Sequence, residues 1–266
     1  IWEKAFICHI SAHVLIQSKS IHRYYWITIQ NKGTKMLMLC YPILLVLLCT
    51  ATTTRSSSLS TLGLDVSNSF DSTKQWTCLQ SSTVNRTWGI VRAYHSYGGF
   101  DKNSIATLNA AHASGLTNMD VYLFPCSTKK ADAQAQDMVK QLGTTPWNSV
   151  WIDIETNPST GCGWSNNTKN NCQFLEEMIN YLTGTGTAVG VYSSHYEWSA
   201  VMGDSCTVAQ HLPLWYARYS YGASCNDYST LPFGGWTKPF AKQYSDQGDA
   251  GATSCGFHSA DMNVRC

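Results

Sequence analysis

The amino-acid sequence predicts an α/β protein, an irregular (β/α) barrel of eight strands and about five helices. From residue 62 onward, short apolar runs of strand length alternate with amphipathic helical patterns. Each of the first five runs is followed by a helical pattern, whereas the sixth and seventh are followed by loops rich in Gly, Ser and Asp. About 205 residues can form one domain with an ample core, and eight strands suffice to close a barrel.

Eight segments are predicted as strands because they are short, apolar and rich in β-branched and aromatic residues. In chain order they are Leu62–Val66, Trp88–Tyr94, Asn118–Phe124, Ser149–Glu155, Thr187–Tyr192, Leu214–Tyr219, Pro239–Tyr244 and Ala260–Val264. Alternation with helices favours a parallel-type layout, in which the functional residues lie at the C-terminal ends of the strands.

Five segments have the pattern of helices. Asp101 is expected to cap a helix that carries Ile105, Leu108 and Ala111 on one face and ends at Gly115. The other four are Asp71–Leu79, Lys129–Leu142, Cys172–Leu182, and a short helix that Ser193 or Ser194 caps and that reaches Met202. No helix is expected after the sixth or seventh strand.

The residues before the barrel predict targeting segments. Residues 1–35 show no amphipathic period and precede the first methionine, Met36, so we expect an upstream leader that is absent from the mature protein. The apolar stretch Leu37–Leu48, followed by small residues, is typical of a signal peptide and shorter than the ~20 residues of a membrane span. The predicted organisation is a leader at 1–35, a signal peptide at 36–52, a linker at 53–61 and the barrel domain at 62–266.

The charge of the barrel domain gives no reason to expect nucleic acid or an anionic membrane as a partner. Residues 1–55 hold six of the 18 Lys and Arg residues and one of the 17 acids, which leaves a net charge of −4 on the remainder. A mildly acidic domain does not attract polyanions. We expect a monomer.

Cysteine usage predicts an oxidising compartment. Cys8, Cys40 and Cys49 precede the barrel, and eight of the 11 cysteines lie within it. An even number without a C-x-x-C pair or His at zinc-finger spacing favours disulfides and predicts no metal site. Cys162–Cys172 is an easy local loop, although the connectivity stays open. We therefore expect a secreted, extracellular protein, or one of a lysosomal or phagosomal lumen.

Acidic residues gather where strands end. In "SVWIDIET", Asp153 and Glu155 point to the same face, because the side-chain period of a strand is two. Asp65 lies near the end of the first strand and Asp261 in the eighth, and these strands are neighbours in a closed barrel. Like charges at one mouth raise one another's pKa. Cleavage of a glycosidic bond needs a protonated carboxylic acid and a negative charge beside the developing cation, so the pattern favours that chemistry.

Six motifs carry a resemblance to a known family. They are "GLDVS", "VWIDIE", "GVYSS", "LPLWYARY", "KQYSD" and "ADMNV", in this order. Residues 62 to 266 resemble glycoside hydrolase family 25 (GH25), the Chalaropsis-type lysozymes. The resemblance implies an irregular barrel of five βα units and three further strands. The sequence departs from the family in its eight cysteines and in an insertion at residues 158–172.

The resemblance implies hydrolysis of the β-1,4 bond between N-acetylmuramic acid and N-acetylglucosamine in bacterial peptidoglycan, without a cofactor. By position, Glu155 would be the proton donor and Asp153 would stabilise the cationic intermediate. Asp65 and Asp261 would form the polar floor of the catalytic site. The expected substrate-binding residues are Tyr192, Trp215, Tyr94 and Gln243, of which Trp215 and Tyr94 could stack on sugar rings.

Two other functions fit parts of the pattern. A chitinase-like enzyme would end its fourth strand in D-x-x-D-x-D-x-E, which needs acids where this chain has Asn148 and Trp151. A catalytically inactive, peptidoglycan-binding barrel is the alternative from another class. The presence of all four acids disfavours it.

Overall fold

The computed structural model describes residues 8–17, 20–31, 34–40 and 61–266. The chain divides into two units, Ile1–Ser56 and Ser57–Cys266, each described by itself. In the first, β1 (Cys8–Gln17), β2 (Ser20–Asn31) and β3 (Thr34–Cys40) form an antiparallel sheet in that order. Most of the predicted signal peptide and linker lies outside the described residues, so the domain bounds stay a prediction.

The second unit is a closed barrel of eight strands, which confirms the predicted fold class. Its strands are β4 (Leu62–Val66), β5 (Arg86–His95), β7 (Met119–Leu123), β8 (Ser149–Asp153), β9 (Ala188–Ser193), β10 (Leu214–Ala217), β11 (Ala241–Ser245) and β12 (Ala260–Arg265). The closure comes from pairing of β4 with both β5 and β12. A two-residue strand that was not predicted, β6 (Gly99–Phe100), forms a hairpin with β5.

The last strand runs against the others. The barrel strands β4, β5 and β7 to β11 pair in parallel, whereas β12 is antiparallel to both β11 and β4. The parallel-type layout is therefore wrong for this strand. Residues 246–259 lead from the end of β11 to the start of β12 at the same end of the barrel, as antiparallel neighbours require. Because Asp261 is the second residue of β12, this direction pairs it with Asp65 at the C-terminal end of β4.

Six helices surround the barrel, one more than predicted. They are α1 (Thr73–Leu79), α2 (Asn103–Ala113), α3 (Ala131–Leu142), α4 (Thr168–Gly184), α5 (His195–Val201) and α6 (Ala250–Ser254). The expectation of no helix after the sixth or seventh strand is wrong, since α6 precedes β12 and a 3₁₀ turn, Tyr228–Thr230, follows β10. Five residues are too few to show a helical period. Asp249 stabilises α6 by accepting a hydrogen bond from Ala252 N at 2.8 Å.

The start of two helices agrees with the sequence patterns. Asp101 Oδ1 accepts a hydrogen bond from Asn103 N at 3.1 Å where α2 begins. Ser194 Oγ accepts one from Glu197 N at 3.1 Å where α5 begins. Each side chain satisfies a backbone donor that has no partner within its own helix.

All eight cysteines of the barrel domain are paired. The disulfides are Cys78–Cys255, Cys126–Cys162, Cys172–Cys206 and Cys225–Cys266. The local pairing of Cys162 with Cys172 is therefore wrong. Cys162 bonds to Cys126, which lies between β7 and α3, and Cys172 of α4 bonds to Cys206, which lies between α5 and β10.

Indole rings fill the interior of the barrel below the mouth. Trp88, Trp151 and Trp215 are each at most 2% exposed, and the ring centroids of Trp151 and Trp215 lie 5.9 Å apart. Gly63 and Gly190 make room for them, since a Cβ at either position would overlap Trp88 or Trp151, respectively. These rings form a closed apolar floor, so the polar mouth above them is a shallow site and not a channel.

Candidate active site

A cavity of about 90 Å³ opens at the C-terminal ends of the strands. Its lining comes from seven strands or the residues just beyond them. The lining residues are Asp65, Tyr122, Asp153, Glu155, Tyr192, Trp215, Gln243 and Asp261. The structure thus brings together seven of the eight site residues expected from the sequence.

Asp65 lies at the centre of a polar network. Its Oδ2 accepts hydrogen bonds from Gln243 Nε2 at 2.9 Å and from Asn263 Nδ2 at 2.7 Å. Burial raises the pKa of Asp65 to about 6, although both hydrogen bonds favour the ionised form. Gln243 Nε2 also reaches Asp261 Oδ2 at 3.3 Å, so one amide links the two carboxyl groups.

Asp153, the last residue of β8, is buried without a full set of partners. It is 5% exposed, and its Oδ1 has no hydrogen-bond partner among the residues that the structure describes. Burial first, and then the neighbouring charges of Glu155 and Asp65, raise its pKa well above the ordinary value. An unsatisfied carboxyl oxygen that lines a cavity is available to a substrate group or to a developing cation.

Glu155 lies two residues beyond Asp153, on the same side of the chain. Ile154 N donates a hydrogen bond to Tyr192 O at 2.9 Å, so the strand pairing continues one residue past β8. Burial, then the charges of Glu197 and Asp65, raise the pKa of Glu155 to about 7. A carboxyl group with this pKa retains its proton near neutrality and can act as a general acid.

Asp261 completes the acidic group from the antiparallel strand β12. Burial and the charges of Asp65, Asp246 and Glu155 raise its pKa to about 7. Burial is the largest cause of the raised pKa at all four acids of the cavity. The mouth therefore holds carboxyl groups that share protons in the pH range where exposed acids are ionised.

Gln243 connects the acids to the aromatic wall. Its Oε1 accepts hydrogen bonds from Tyr192 OH at 2.7 Å and Tyr219 OH at 3.0 Å. The side chain thus uses its amide group for the acids and its carbonyl oxygen for the two tyrosines. These two hydrogen bonds fix the positions of the Tyr192 and Tyr219 hydroxyl groups relative to Gln243.

Trp215 lines the cavity as part of its floor. The ring is 2% exposed, lies 4.2 Å from the Tyr192 ring between centroids, and donates from Nε1 to Asn263 Oδ1 at 2.8 Å. Only a small part of this ring can touch a sugar. Trp215 can therefore make an edge contact with a sugar ring, but not the stacking contact that was expected.

Tyr94 is not part of the cavity. It is 3% exposed, and its OH donates a hydrogen bond to Asp137 Oδ2 of α3 at 3.2 Å. Trp88 and Ile90 of β5 face the barrel interior, and regular alternation would place Tyr94 there too, but a register shift between Arg92 and Tyr94 turns this side chain towards the helices. Its expected role in substrate binding is therefore withdrawn.

Three side chains at the mouth were not predicted. Tyr122 lines the cavity, Asn263 bonds to Asp65, and Glu197 lies close enough to raise the pKa of Glu155. Strand alternation could have indicated Asn263, two residues after Asp261, and Tyr122, in the third predicted strand. Nothing in the sequence singles out Glu197, because it lies on a helix outside the barrel.

The arrangement suits acid-assisted cleavage of a glycosidic bond. One carboxyl group can hold a proton for the leaving oxygen, while a second can stabilise a positive charge at the sugar carbon. Among the described residues, no group of three or more His, Cys, Asp and Glu side chains has the geometry of a metal site.

Comparison with known proteins gives consistent matches. A protein-family model described as "Lysozyme-like protein 1" matches residues 56–244. A curated relative, "Probable GH family 25 lysozyme 2" of Dictyostelium discoideum, is 36% identical over 204 residues, which cover 76% of this chain and 89% of the relative.

Solved structures share the fold at low sequence identity. The family GH25 lysozyme from Aspergillus fumigatus is 18% identical, with a TM-score of 0.59 over 78% of this chain and 94% of that one. The modular autolysin LytC from Streptococcus pneumoniae, solved with a synthetic peptidoglycan ligand, is 13% identical, with a TM-score of 0.61. That match covers 94% of this chain and 57% of LytC.

Proposed function

This chain belongs to the GH25 lysozyme family and is a glycoside hydrolase of the lysozyme type, and we propose that it hydrolyses the β-1,4 bond between N-acetylmuramic acid and N-acetylglucosamine in bacterial peptidoglycan. The observation that carries the proposal is the single cavity shared by Glu155, Asp153, Asp65 and Asp261. Peptidoglycan is proposed as the substrate because related proteins are lysozymes and LytC was solved with a peptidoglycan ligand.

In the proposed mechanism Glu155 donates its proton to the bridging oxygen as the bond from that oxygen to C1 of the muramic acid breaks. The negative charges around Glu155 oppose its ionisation in the free enzyme, so it enters the reaction protonated. After the first product leaves, the Glu155 carboxylate takes a proton from the water that attacks C1. The acid is thereby restored.

Asp153 stabilises the cation that forms at the muramic acid. Its raised pKa means that it ionises reluctantly in the free protein. A positive charge within contact distance favours the carboxylate, so the stabilisation becomes strongest in the transition state. Asp65 and Asp261 supply the other two carboxyl groups of the site. Gln243 keeps these two acids and the Tyr192 hydroxyl in fixed relative positions.

The products of peptidoglycan digestion test the proposal. The purified protein is incubated with peptidoglycan, the fragments are reduced with borohydride, and the reduced sugar is identified by mass. A muramidase leaves N-acetylmuramic acid at the new reducing end, so muramicitol is expected. Glucosaminitol from peptidoglycan, or rapid cleavage of chitin oligomers of similar length, would contradict the proposal.

Secretion and a monomeric state are part of the proposal. Four disulfides in the barrel domain support an oxidising compartment, either extracellular or a lysosomal or phagosomal lumen. The proposed chemistry uses residues of one barrel domain, so it does not require a second copy of the chain. None of the helices in the described residues has the length and apolar character to cross a membrane. Mass analysis of the mature protein and light scattering test the two points.

A further inference from the structure

The peptide unit that follows Glu155 is held by two side chains instead of by strand pairing. It lies beyond β8, so its C=O and N–H groups have no place in the sheet. Trp164 Nε1 donates to the Glu155 carbonyl oxygen at 2.7 Å, and Thr156 N donates to Glu197 Oε2, also at 2.7 Å. Thr156 Oγ1 donates to the same Glu197 oxygen at 2.8 Å. Both polar groups of one peptide unit are thus bonded to side chains.

The two side chains come from opposite sides of the segment. Trp164 belongs to the insertion at residues 158–172, which the Cys126–Cys162 disulfide ties to the preceding βα connection. The indole packs edge-on against Phe174 of α4, with ring centroids 5.5 Å apart. Glu197 stands in the first turn of α5. Each donor or acceptor is therefore mounted on an element that is itself anchored.

The orientation of this peptide unit decides where the Glu155 carboxyl group lies. A glutamate side chain rotates about three bonds, so a small tilt of its backbone moves the carboxyl group by a comparable or larger distance. A misplacement of 1 Å at a catalytic group can cost about 100-fold in rate. Without the two side chains, an unpaired segment at the end of a strand would sample several orientations.

We propose that Trp164 and Glu197 are positioning residues for Glu155: the indole and the carboxylate together fix the peptide plane of Glu155, and Glu197 also places a negative charge beside it. The proposal rests on the proposed function, since it assigns Glu155 the part of the acid. Neither residue lines the cavity, so both act through Glu155 and not on the substrate.

The charge of Glu197 has a consequence for pH dependence. Several titratable groups face Glu155 from different elements, namely Asp65, Asp153, Tyr192, Tyr219, Asp261 and Glu197. Glu197 is the charge that raises the pKa of Glu155 most, after burial. Removing it lowers that pKa, so Glu155 loses its proton at a lower pH. The basic limb of the pH profile then moves towards acid.

Glu197→Gln separates the charge from the hydrogen bond, because the amide oxygen can still accept from Thr156 N. We expect the basic limb of the profile of kcat against pH to move down by about 0.5 pH unit, a modest shift because the pair is partly exposed to solvent. Glu197→Asp keeps the charge and should keep the profile. Glu176→Gln, the same change at an exposed acid on α4, is the matched control.

Trp164→Phe removes the indole N–H and keeps an aromatic ring against Phe174. We expect kcat to fall about 10-fold, with KM nearly unchanged and the pH profile in place. Trp147→Phe, at the opposite end of β8, is the matched control and should retain the wild-type kcat. This split between kcat and KM distinguishes a positioning residue from a residue that binds substrate.

A measurement without turnover keeps the inference separate from the proposed function. The ¹³C NMR titration of the Glu155 carboxyl group, assigned by its absence in Glu155→Gln, should show a lower pKa in Glu197→Gln than in the wild-type protein. Wild-type protein that releases no muramyl fragments would refute the proposed function. An unchanged Glu155 titration and basic limb in Glu197→Gln, or an unchanged kcat in Trp164→Phe, would overturn the inference.

Discussion

Two buried aspartates at opposite ends of the barrel interior show how this fold separates structural from chemical acids. Asp120 is the second residue of β7, at the closed end, and is 4% exposed, while Asp153 ends β8 at the mouth and is 5% exposed. Burial raises the pKa of both. They differ in what surrounds the carboxyl group.

Asp120 is fully engaged. Its Oδ1 accepts from Ser149 N at 3.1 Å and its Oδ2 from Trp151 Nε1 at 3.0 Å, and the charge of Arg265 lowers its pKa further towards the ordinary value. Asp153 has one oxygen without a partner in the described part of the chain, and acidic neighbours that raise its pKa. Two equally buried acids therefore differ in role. The hydrogen-bonded carboxylate of Asp120 contributes to the stability of the fold, whereas the carboxyl group of Asp153 keeps one oxygen available for a substrate.

The largest expected effect lies at the mouth. Glu155→Gln keeps the shape of the side chain but cannot donate a proton, so turnover on peptidoglycan should fall by about 10²–10⁴-fold. Thermal unfolding should be nearly unchanged, which is the control for folding. If the variant kept more than about a tenth of the wild-type turnover at its optimum pH, Glu155 would not be the acid.

Paired substitutions test the contrast directly. Asp153→Asn should cost about 100-fold in turnover through lost charge stabilisation, while the free energy of unfolding stays equal or rises, because a buried carboxyl group among like charges is removed. Asp120→Asn should leave the turnover per folded molecule nearly unchanged and should destabilise the protein. Its amide group opposes the Trp151 N–H and loses the attraction of Arg265, which should lower the free energy of unfolding by about 1–3 kcal/mol.

Denaturant unfolding and turnover per folded molecule are the two measurements for this pair. The contrast would fail if Asp120→Asn were as inactive as Asp153→Asn while remaining folded. It would equally fail if Asp153→Asn were the less stable of the two variants.

The pH dependence of stability gives the smallest expected effect. A group whose pKa is raised in the folded state stabilises the protein below its unfolded pKa and loses that contribution as the pH rises through its folded pKa. The pKa of Asp65 is raised from 3.8 to about 6, that of Glu155 from 4.5 to about 7, and that of Asp261 from 3.8 to about 7. The free energy of unfolding therefore falls as the pH rises from about 4 to about 7.

We expect the Tm, followed by circular dichroism, to be about 2–4 °C higher at pH 5 than at pH 7.5. Asp153→Asn should flatten this slope, because it removes a buried carboxyl group whose own pKa is raised well above the ordinary value. A Tm that rises from pH 5 to pH 7.5 would show that the mouth acids do not dominate the titration.

Local patterns were sufficient for most of the fold and for the acids. Strand and helix periods are set by neighbouring residues, so the eight barrel strands and five of the helices could be predicted. A carboxylate at the end of an apolar run indicates a mouth position, as Asp65, Asp153 and Glu155 show. Asp120, near the start of β7, lies at the other end of the barrel, and the sequence could not show how its carboxyl group is satisfied, since its partners Trp151 and Arg265 are distant along the chain.

The sequence by itself determined the barrel and the acidic mouth, because these depend on side-chain periods and on which residues end each strand. The tertiary structure alone decided the direction of β12, the disulfide partners, the position of Tyr94 outside the site and the contact of Trp164 with Glu155. Each of these depends on residues that meet only in the fold: Cys78 and Cys255 are 177 residues apart, and Asp65 and Asn263 are 198 apart. No local pattern can specify which distant group satisfies a buried oxygen, and at this mouth that choice separates a structural acid from a reactive one.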